Sequence, residues 1–381
     1  MKSRDHDLIQ IAGAGPAGLS AAITLAQAGH RVIVHEAFAE VGHRFRQDLQ
    51  GFENWSETGD ALNWLRELGI DTDFETFPCH EGTAFDAWNR DYRIHSKEPL
   101  FYMVERGPGP TSLDSAMLRQ AQALGVEVRF NSRLDKLDGP GIFALGPKAA
   151  DAIAVGYHFR TNMENGYWAI CDDHLAPKGY AYLLVMNGRG TVKSCIFRGF
   201  KDERQYVKRT VERFKKLAGL QMIDPKPHGG VGNFRYPVQT YYGRHPVAGE
   251  LAGFQDTLWG FGMRYAIHSG VLAARSFLGN PEYDELWRRS MESPIQTAIV
   301  NRALYELLGN YGYRWFLRRQ GKGDAREFLH RQYAPSRLKK WLVPWARSRI
   351  TSGRSDKSCD HVECQCVWCR CGPDGSQELA H

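Results

Sequence analysis

Residues 8–36 read LIQIAGAGPAGLSAAITLAQAGHRVIVHE. Leu8, Ile9, Ile11 and Ala12 spell a short buried strand that runs into Gly13-Ala14-Gly15-Pro16-Ala17-Gly18. Leu19, Ala22, Ile23 and Ala26 then recur at helical spacing up to Gly29. Val32, Ile33 and Val34 make a second apolar strand that closes on Glu36, followed by Ala37. In such a strand–turn–helix–strand unit Gly13 permits the tight turn, and Gly15 lets the backbone approach a pyrophosphate. Gly18 lets the helix pack closely on the strand. Ala14, Pro16 and Ala17 line the start of the helix, whose free N–H groups then face a negative charge. Glu36 lies where a carboxylate accepts hydrogen bonds from ribose hydroxyls. The unit starts close to Met1, a placement typical of FAD-binding chains, although these residues by themselves leave NAD open.

Working outward, the 381 residues are 43% hydrophobic and 12% aromatic, a globular composition with chain enough for a sizeable core. No apolar run approaches the roughly 20 residues of a membrane span. The first residues, MKSRDHD, are polar and lead straight into a strand, so no signal peptide is expected and a cytoplasmic location is the default. The net charge of +6 is mild, and its distribution matters more than its sum.

The segment after Glu36 carries Arg44 and Arg46, candidates to lie against adenine or pyrophosphate. Residues 50–55 read as a loop. Residues 59–69 have amphipathic helical spacing, with Leu62, Leu65 and Leu68 on one face. Residues 71–96 alternate weakly and hold Phe74, Phe77, Phe85, Trp88 and Tyr92, as strands of a second, mostly antiparallel layer would. Residues 102–106 read as a further strand. Ser112 caps a predicted helix with Asp114 favourably near its positive end, and residues 126–130 return as a strand. Residues 142–146 are a short apolar strand ending in glycine. Residues 153–160, 179–185 and 191–197 read as strands with a turn at Asn187-Gly188, and residues 201–217 as a charged helix.

A second signature occupies residues 249–270, GELAGFQDTLWGFGMRYAIHSG. Gly249-Glu250-x-x-Gly253 is a turn, and Gly260-Phe261-Gly262 precedes a helix from Met263 to Leu278. Amides at that helix start would face an electron-rich group. In order and spacing, residues 8–278 resemble the para-hydroxybenzoate hydroxylase-type flavoproteins and, within them, the geranylgeranyl reductase family. The resemblance implies FAD held by Gly13, Gly15, Gly18 and Glu36, an acid on the ribityl chain, and backbone amides near Gly260, Phe261, Gly262 and Met263 at the isoalloxazine. The sequence departs from the family pattern in three places. Gly249-Glu250 stands for the usual Gly-Asp. Tyr180-Ala181-Tyr182-Leu183-Leu184-Val185 stands for a Tyr-x-Trp-x-Phe-Pro stretch. Asp151-Ala152 stands where the hydroxylase branch carries Asp-Gly. No second GxGxxG unit follows residue 36, so electrons are expected from transient NAD(P)H binding or a ferredoxin-like donor.

Between Tyr311 and Arg354 there are twelve Lys/Arg against two acids, interleaved with Trp315, Phe316, Phe328, Tyr333, Trp341 and Trp345. Residues 301–308 and 311–317 read as helices, and Leu338, Trp341, Leu342 and Trp345 share one helical face beside Arg337, Lys339 and Lys340. Such a segment is either an interfacial contact with a membrane or a helix packed on its own domain. No nucleic-acid module is recognisable. Five of the eight cysteines, Cys359, Cys364, Cys366, Cys369 and Cys371, crowd the tail with His361. In a reducing compartment they suggest Zn or an iron–sulfur cluster.

The expected architecture is an α/β, three-layer FAD-binding domain built from residues 1–70, 111–150 and 236–280. A mostly antiparallel β substrate domain is inserted as residues 71–110 and 151–235. A basic helical region, 281–354, and a Cys-rich tail, 355–381, follow. The expected activity is FAD-dependent reduction of C=C bonds in a hydrophobic, prenyl-like substrate. The alternatives are a monooxygenase using NAD(P)H and oxygen, or a flavin/metal electron-transfer or redox-sensing protein. Tyr180, Tyr182, His245 and His268 are candidate acids that the sequence alone does not rank.

Overall fold

The computed structural model describes residues 8–147, 150–234 and 236–350. The cysteine tail and its expected metal ligands lie outside the described residues.

Strand β1 (Ile9–Ala12) feeds helix α1 (Pro16–Gln27), which returns to β2 (Val32–His35) alongside β1 in parallel. Strand β3 (Asp48–Glu53) follows, then α2 (Ala61–Glu67), whose N-cap Asp60 accepts from the amides of Leu62 and Asn63. The chain continues through β4 (Thr76–Cys79), β5 (Glu81–Asp86), β6 (Asp91–His95) and β7 (Phe101–Arg106). Helix α3 (Leu113–Ala123) starts at the Ser112 cap, as its sequence predicts. Strands β8 (Glu127–Arg129) and β9 (Gly141–Phe143) complete a four-stranded parallel sheet in the order β8-β2-β1-β9. Helix α1 lies between this sheet, α3 and α5 (Met263–Arg275), and all four contribute to one apolar core.

The second large sheet is built mainly from β10 (Ala152–Arg160), β11 (Gly166–Cys171), β12 (Tyr180–Met186), β13 (Arg189–Ile196) and β14 (Ile223–Gly232). With β5 and β6 it has seven strands in the order β14-β10-β13-β12-β11-β5-β6, antiparallel except for β11 against β5. Helix α4 (Glu203–Ala218) seals one face through Phe214 and Val207, with Thr210 hydrogen-bonded to Ser194 at 2.9 Å. The other face bears Tyr180, Tyr182, Lys193, Cys195, Thr191, His158 and His228, set side by side by register. A three-stranded meander, β3-β7-β4, lies against it.

One sequence expectation changes here. Residues 50–55, expected as a loop, mostly belong to β3, which pairs with β7 along its whole length. Gly51 hides the strand pattern, and a side chain there would collide with the Phe261 ring, its Cβ 2.3 Å from Cε1. The two helices expected at 301–308 and 311–317 are both present: the span α6 (Tyr283–Gln320) is two helices that meet at a kink at Gly309, with φ 59° and ψ −171°. Sequence reading also missed β14, whose stretch IDPKPHGGVG holds prolines and glycines that ordinarily argue against a strand. It is an edge strand paired only to β10, where proline is tolerated.

Helices α7 (Ala325–Tyr333) and α8 (Arg337–Arg349) end the described chain. The predicted apolar face of α8 divides. Leu342 and Trp345 pack on the cofactor-domain core beside buried Val343 and Ala346, whereas Leu338 and Trp341 are exposed. No helix among the described residues is long and apolar enough to cross a membrane.

Candidate functional site

At the end of β1 the backbone turns through Gly13, at φ +105°, under the Ala144 carbonyl that follows β9. Gly18 faces that turn so closely that a Cβ there would sit 1.9 Å from the Gly13 carbonyl oxygen. Above Gly15, by contrast, an added Cβ would meet nothing within 4 Å. No side chain caps the start of α1, and Pro16 occupies its first turn. The helix therefore presents uncapped amides to an open space, the arrangement that suits an anionic group. Glu36 closes the other side: its carboxylate accepts from Ala14 N at 2.9 Å and from Phe38 N at 3.1 Å. Ala37 beside it is exposed. This cradle fits the pyrophosphate and ribose of a dinucleotide.

The Gly249–Ala252 turn packs directly on α1, the Cβ position of Gly249 lying 2.9 Å from Ala17 Cβ, and the Gly249 amide donates to Ser269 Oγ at 2.9 Å. Glu250 is not free to serve a ligand alone. Its Oε1 accepts from Asn233 N at 2.9 Å, and Oε2 lies 3.7 Å from Arg44 Nη1. Burial pushes its carboxyl above the usual range, with Arg44 pulling the other way. Arg44 also donates to the Val231 carbonyl at 3.0 Å. It therefore ties the 249–253 turn to β14, whereas Arg46 is exposed at φ +42°. Of the two predicted arginines, Arg44 is the one placed at the site.

The loop entering α5 is organised by a residue that sequence reading did not single out. Asp256 accepts from the amides of Leu258 at 3.2 Å, Trp259 at 3.0 Å and Phe261 at 3.4 Å, and from Tyr333 Oη at 2.9 Å. It thereby fixes the turn that carries Gly260, Phe261 and Gly262 to the uncapped start of α5 at Met263. Asp256→Ala leaves several buried donors unmatched. It is expected to cost about 2 kcal/mol and to weaken FAD retention, both read by melting with and without added FAD, with Asp256→Asn milder.

Beyond this loop lies an aromatic wall. Phe261 meets Trp55 at 4.7 Å and Phe101 at 5.9 Å, and Trp259 meets Tyr180 at 5.4 Å and Tyr305 at 5.0 Å. Tyr180, Tyr182, Trp259 and Phe261 are each half-buried, so part of each ring stays accessible along this wall.

The candidate acids separate on geometry. Tyr180 donates its hydroxyl proton to the Trp259 carbonyl. His245 Nε2 bonds the Gly139 carbonyl at 2.9 Å, on the far side of the parallel sheet. His268 packs edge-on to Trp64 at 5.7 Å, and burial lowers its pKa to about 4. Tyr182, half-buried, alone of the four presents a hydroxyl that makes no hydrogen bond among the described residues.

Next to Tyr182 is a polar cluster that sequence reading missed. Lys193 Nζ donates to Asp48 Oδ2 at 2.6 Å, and His158 Nε2 lies 3.1 Å from Asp48 Oδ1. Gln50 also donates to Asp48 at 2.9 Å. His158 stacks on His228 at 4.1 Å, and His228 Nε2 donates to the Arg44 carbonyl at 2.9 Å. These groups come from β3, β10, β13 and β14, and no sequence spacing announces them.

The glycine cradle, the acid at the end of β2 and the turn packed on α1 define an FAD-dependent oxidoreductase. The comparisons with known proteins agree: residues 6–144 match the FAD binding domain family model. The chain is 24% identical over 375 residues to the digeranylgeranylglycerophospholipid reductase of Haloferax volcanii, covering 81% of this chain and 88% of the relative. Among solved structures, a geranylgeranyl bacteriochlorophyll reductase-like protein from Thermoplasma acidophilum aligns over 90% of this chain and 96% of its own. Its TM-score is 0.67 at 16% identity. A flavin-dependent brominase aligns over 91% and 98%, with a TM-score of 0.62 at 14% identity. At these identities the two structures share the fold with this chain. The chain thus resembles the geranylgeranyl reductases, on a fold that also carries other flavin chemistry.

Proposed function

We propose that the protein reduces C=C bonds of a hydrophobic, prenyl- or lipid-like substrate, with electrons supplied by NAD(P)H or a ferredoxin-like donor. The aromatic wall formed by Trp55, Phe101, Tyr182, Trp259 and Phe261 beside the cofactor cradle carries this reading. Such a wall suits an isoprenoid chain and excludes water from it. The similarity to a lipid reductase supports it. In this reading Gly13, Gly15, Gly18 and Glu36 hold the dinucleotide, and Gly249, Glu250 and Arg44 lie along its middle. Gly260, Phe261, Gly262 and Met263 meet its ring. Bound FAD supplies the hydride chemistry, and the chain supplies orientation and exclusion of water.

The deciding experiment mixes anaerobically reduced, FAD-loaded protein with a digeranylgeranyl glycerophospholipid. The expected result is flavin reoxidation with one H2 gained per double bond, read by mass spectrometry. Reoxidation only on admitting oxygen, with an oxygenated product, would favour a monooxygenase.

A lipid substrate also gives meaning to the exposed apolar residues of the helical region. Leu307, Tyr311 and Trp315 line α6 at exposures of 55%, 77% and 57%, with Arg318 and Arg319 beyond them. Trp341 on α8 is 76% exposed among Arg337, Lys339 and Lys340. These residues suit the interface of an anionic membrane. The protein is expected to co-sediment with vesicles containing phosphatidylglycerol, less so at high salt, and Trp315→Ala with Trp341→Ala should lower the bound fraction several-fold. Equal sedimentation of wild type and the double variant would sink the membrane assignment.

A further inference from the structure

We propose that Tyr182, Lys193 and Asp48 form the proton-delivery site of the reaction, with Tyr182 as the group that meets the substrate. This rests on the reductase reading and goes beyond it, because neither the comparisons nor the family resemblance assigns these residues a role. Tyr182 and Lys193 are directly opposed in the β12/β13 ladder, and the same row continues through Gly156 to His228. Opposed residues in an antiparallel pair hold their Cβ atoms about 5 Å apart. Lys193 and Asp48 are 2% and 1% exposed, so a full ion pair is buried on the sheet face that also carries Tyr182. Burying such a pair is seldom the most stable way to fill a core, which points to use rather than to packing. His158, bonded to the same carboxylate, keeps 13% of its side chain exposed and so offers a route to water. Arg44 links the cluster to the cofactor turn, its carbonyl taking the His228 proton while its guanidinium reaches Glu250.

The ligand atoms of Asp48, His158 and His228 lie within 4.8 Å of one another, a spacing that a metal ion could bridge. The ammonium on Asp48 argues for protons instead, because it already neutralises the only anionic ligand of the three. The step balances simply. The Tyr182 O–H bond breaks as its proton joins the alkene carbon that does not take the hydride, forming a C–H bond. The Lys193 ammonium, which bonds Asp48 in the structure and stands opposite Tyr182 in the ladder, then turns to the phenolate oxygen and returns a proton, and the resulting amine is refilled from water by way of His158. The hydride and its two electrons come from reduced FAD.

The test uses the full-length, FAD-loaded protein. With Tyr182→Phe, reduction by dithionite and FAD retention should be unchanged, while reoxidation by the digeranylgeranyl glycerophospholipid slows about 100-fold or more. A second readout does not depend on turnover. In 15N-lysine-labelled protein, the Lys193 ammonium should give a signal shielded from water exchange that Lys193→Met removes and Tyr182→Phe shifts. Because Lys193→Met alone strands Asp48, the pair Asp48→Asn with Lys193→Met tests folding. It should restore the melting temperature without restoring reoxidation. The proposal is overturned by a wild-type reoxidation rate in Tyr182→Phe, by a Lys193 signal indifferent to Tyr182, or by full activity in the double variant. Should the wild type itself fail to reduce the lipid, the reductase reading fails, and the lysine signal still decides whether Tyr182 and Lys193 share a proton.

Discussion

Gly18→Val is expected to abolish FAD retention and to destabilise the apoprotein, whereas Gly15→Ala should lose FAD while leaving the apoprotein intact. The difference follows from what a side chain would meet. At Gly18 the new Cβ would lie 1.9 Å from the Gly13 carbonyl oxygen and 3.4 Å from Ala144 Cβ. Both belong to the turn that joins β1 to α1 and to the chain leaving β9, so neither can swing aside as a long side chain would. The helix must lift from the sheet, at a cost of about 1–3 kcal/mol for an overpacked site, and its amides leave the position where a pyrophosphate would be held. At Gly15 the added methyl has room, because only the ligand fills the space above it. FAD titration by fluorescence quenching and melting curves of apoprotein and holoprotein separate the two effects. Tight FAD binding by Gly15→Ala would mean that the pyrophosphate does not cross this turn.

Asp114→Ala should be the most destabilising single change away from the cofactor. Asp114 is fully buried and accepts from Arg106 Nε at 2.7 Å, Arg106 Nη2 at 2.9 Å and Gly107 N at 2.9 Å. Removing the carboxylate leaves a guanidinium that is 5% exposed without its partner. Breaking a buried pair from one side costs about 3–5 kcal/mol. The effect should reach further, because Arg106 stacks over Phe45 at 4.3 Å and bonds Gln50 at 3.4 Å, and Gln50 holds Asp48. Urea unfolding measures the loss. Asp114→Ala together with Arg106→Met should recover part of it, which a purely local cavity effect would not allow.

Asp114 also shows where sequence reading reaches its limit. Its place in the first turn of α3 was legible, because a Ser112 cap followed by an acid is a local signal. Its partner was not, since Arg106 sits on a different element and only the fold brings the two together. The same division runs through the site. The cradle from Gly13 to Glu36 is one contiguous unit in which each glycine answers a local backbone demand, and it could be read directly. The turn at Gly249 and the start of α5 at Gly262 were legible for the same reason. Asp48, His158, Lys193 and His228 meet through the register of three neighbouring strands and a fourth laid against them. One of those strands, β14, carries prolines and glycines that mask it. Strand β3 was lost because Gly51, which interrupts its pattern, is required by a ring from residue 261.

The span α6 covers 38 residues as two helices that meet at Gly309. Its first half, through Trp287, Ile295 and Ile299, is rooted in the core of the cofactor domain. Tyr305, near the end of the first helix, and Tyr313 and Leu317 of the second are rooted in a separate core that also holds Tyr92, Tyr167 and Leu184 of the seven-stranded sheet. The first helix, which also carries Pro294, thus reaches both cores, and the joint at Gly309 has backbone angles essentially closed to any residue with a side chain. Moving the two cores apart would mean shearing an anchorage of the first helix, so a long substrate of the kind proposed would enter by local yielding of the wall rather than by a clamshell motion.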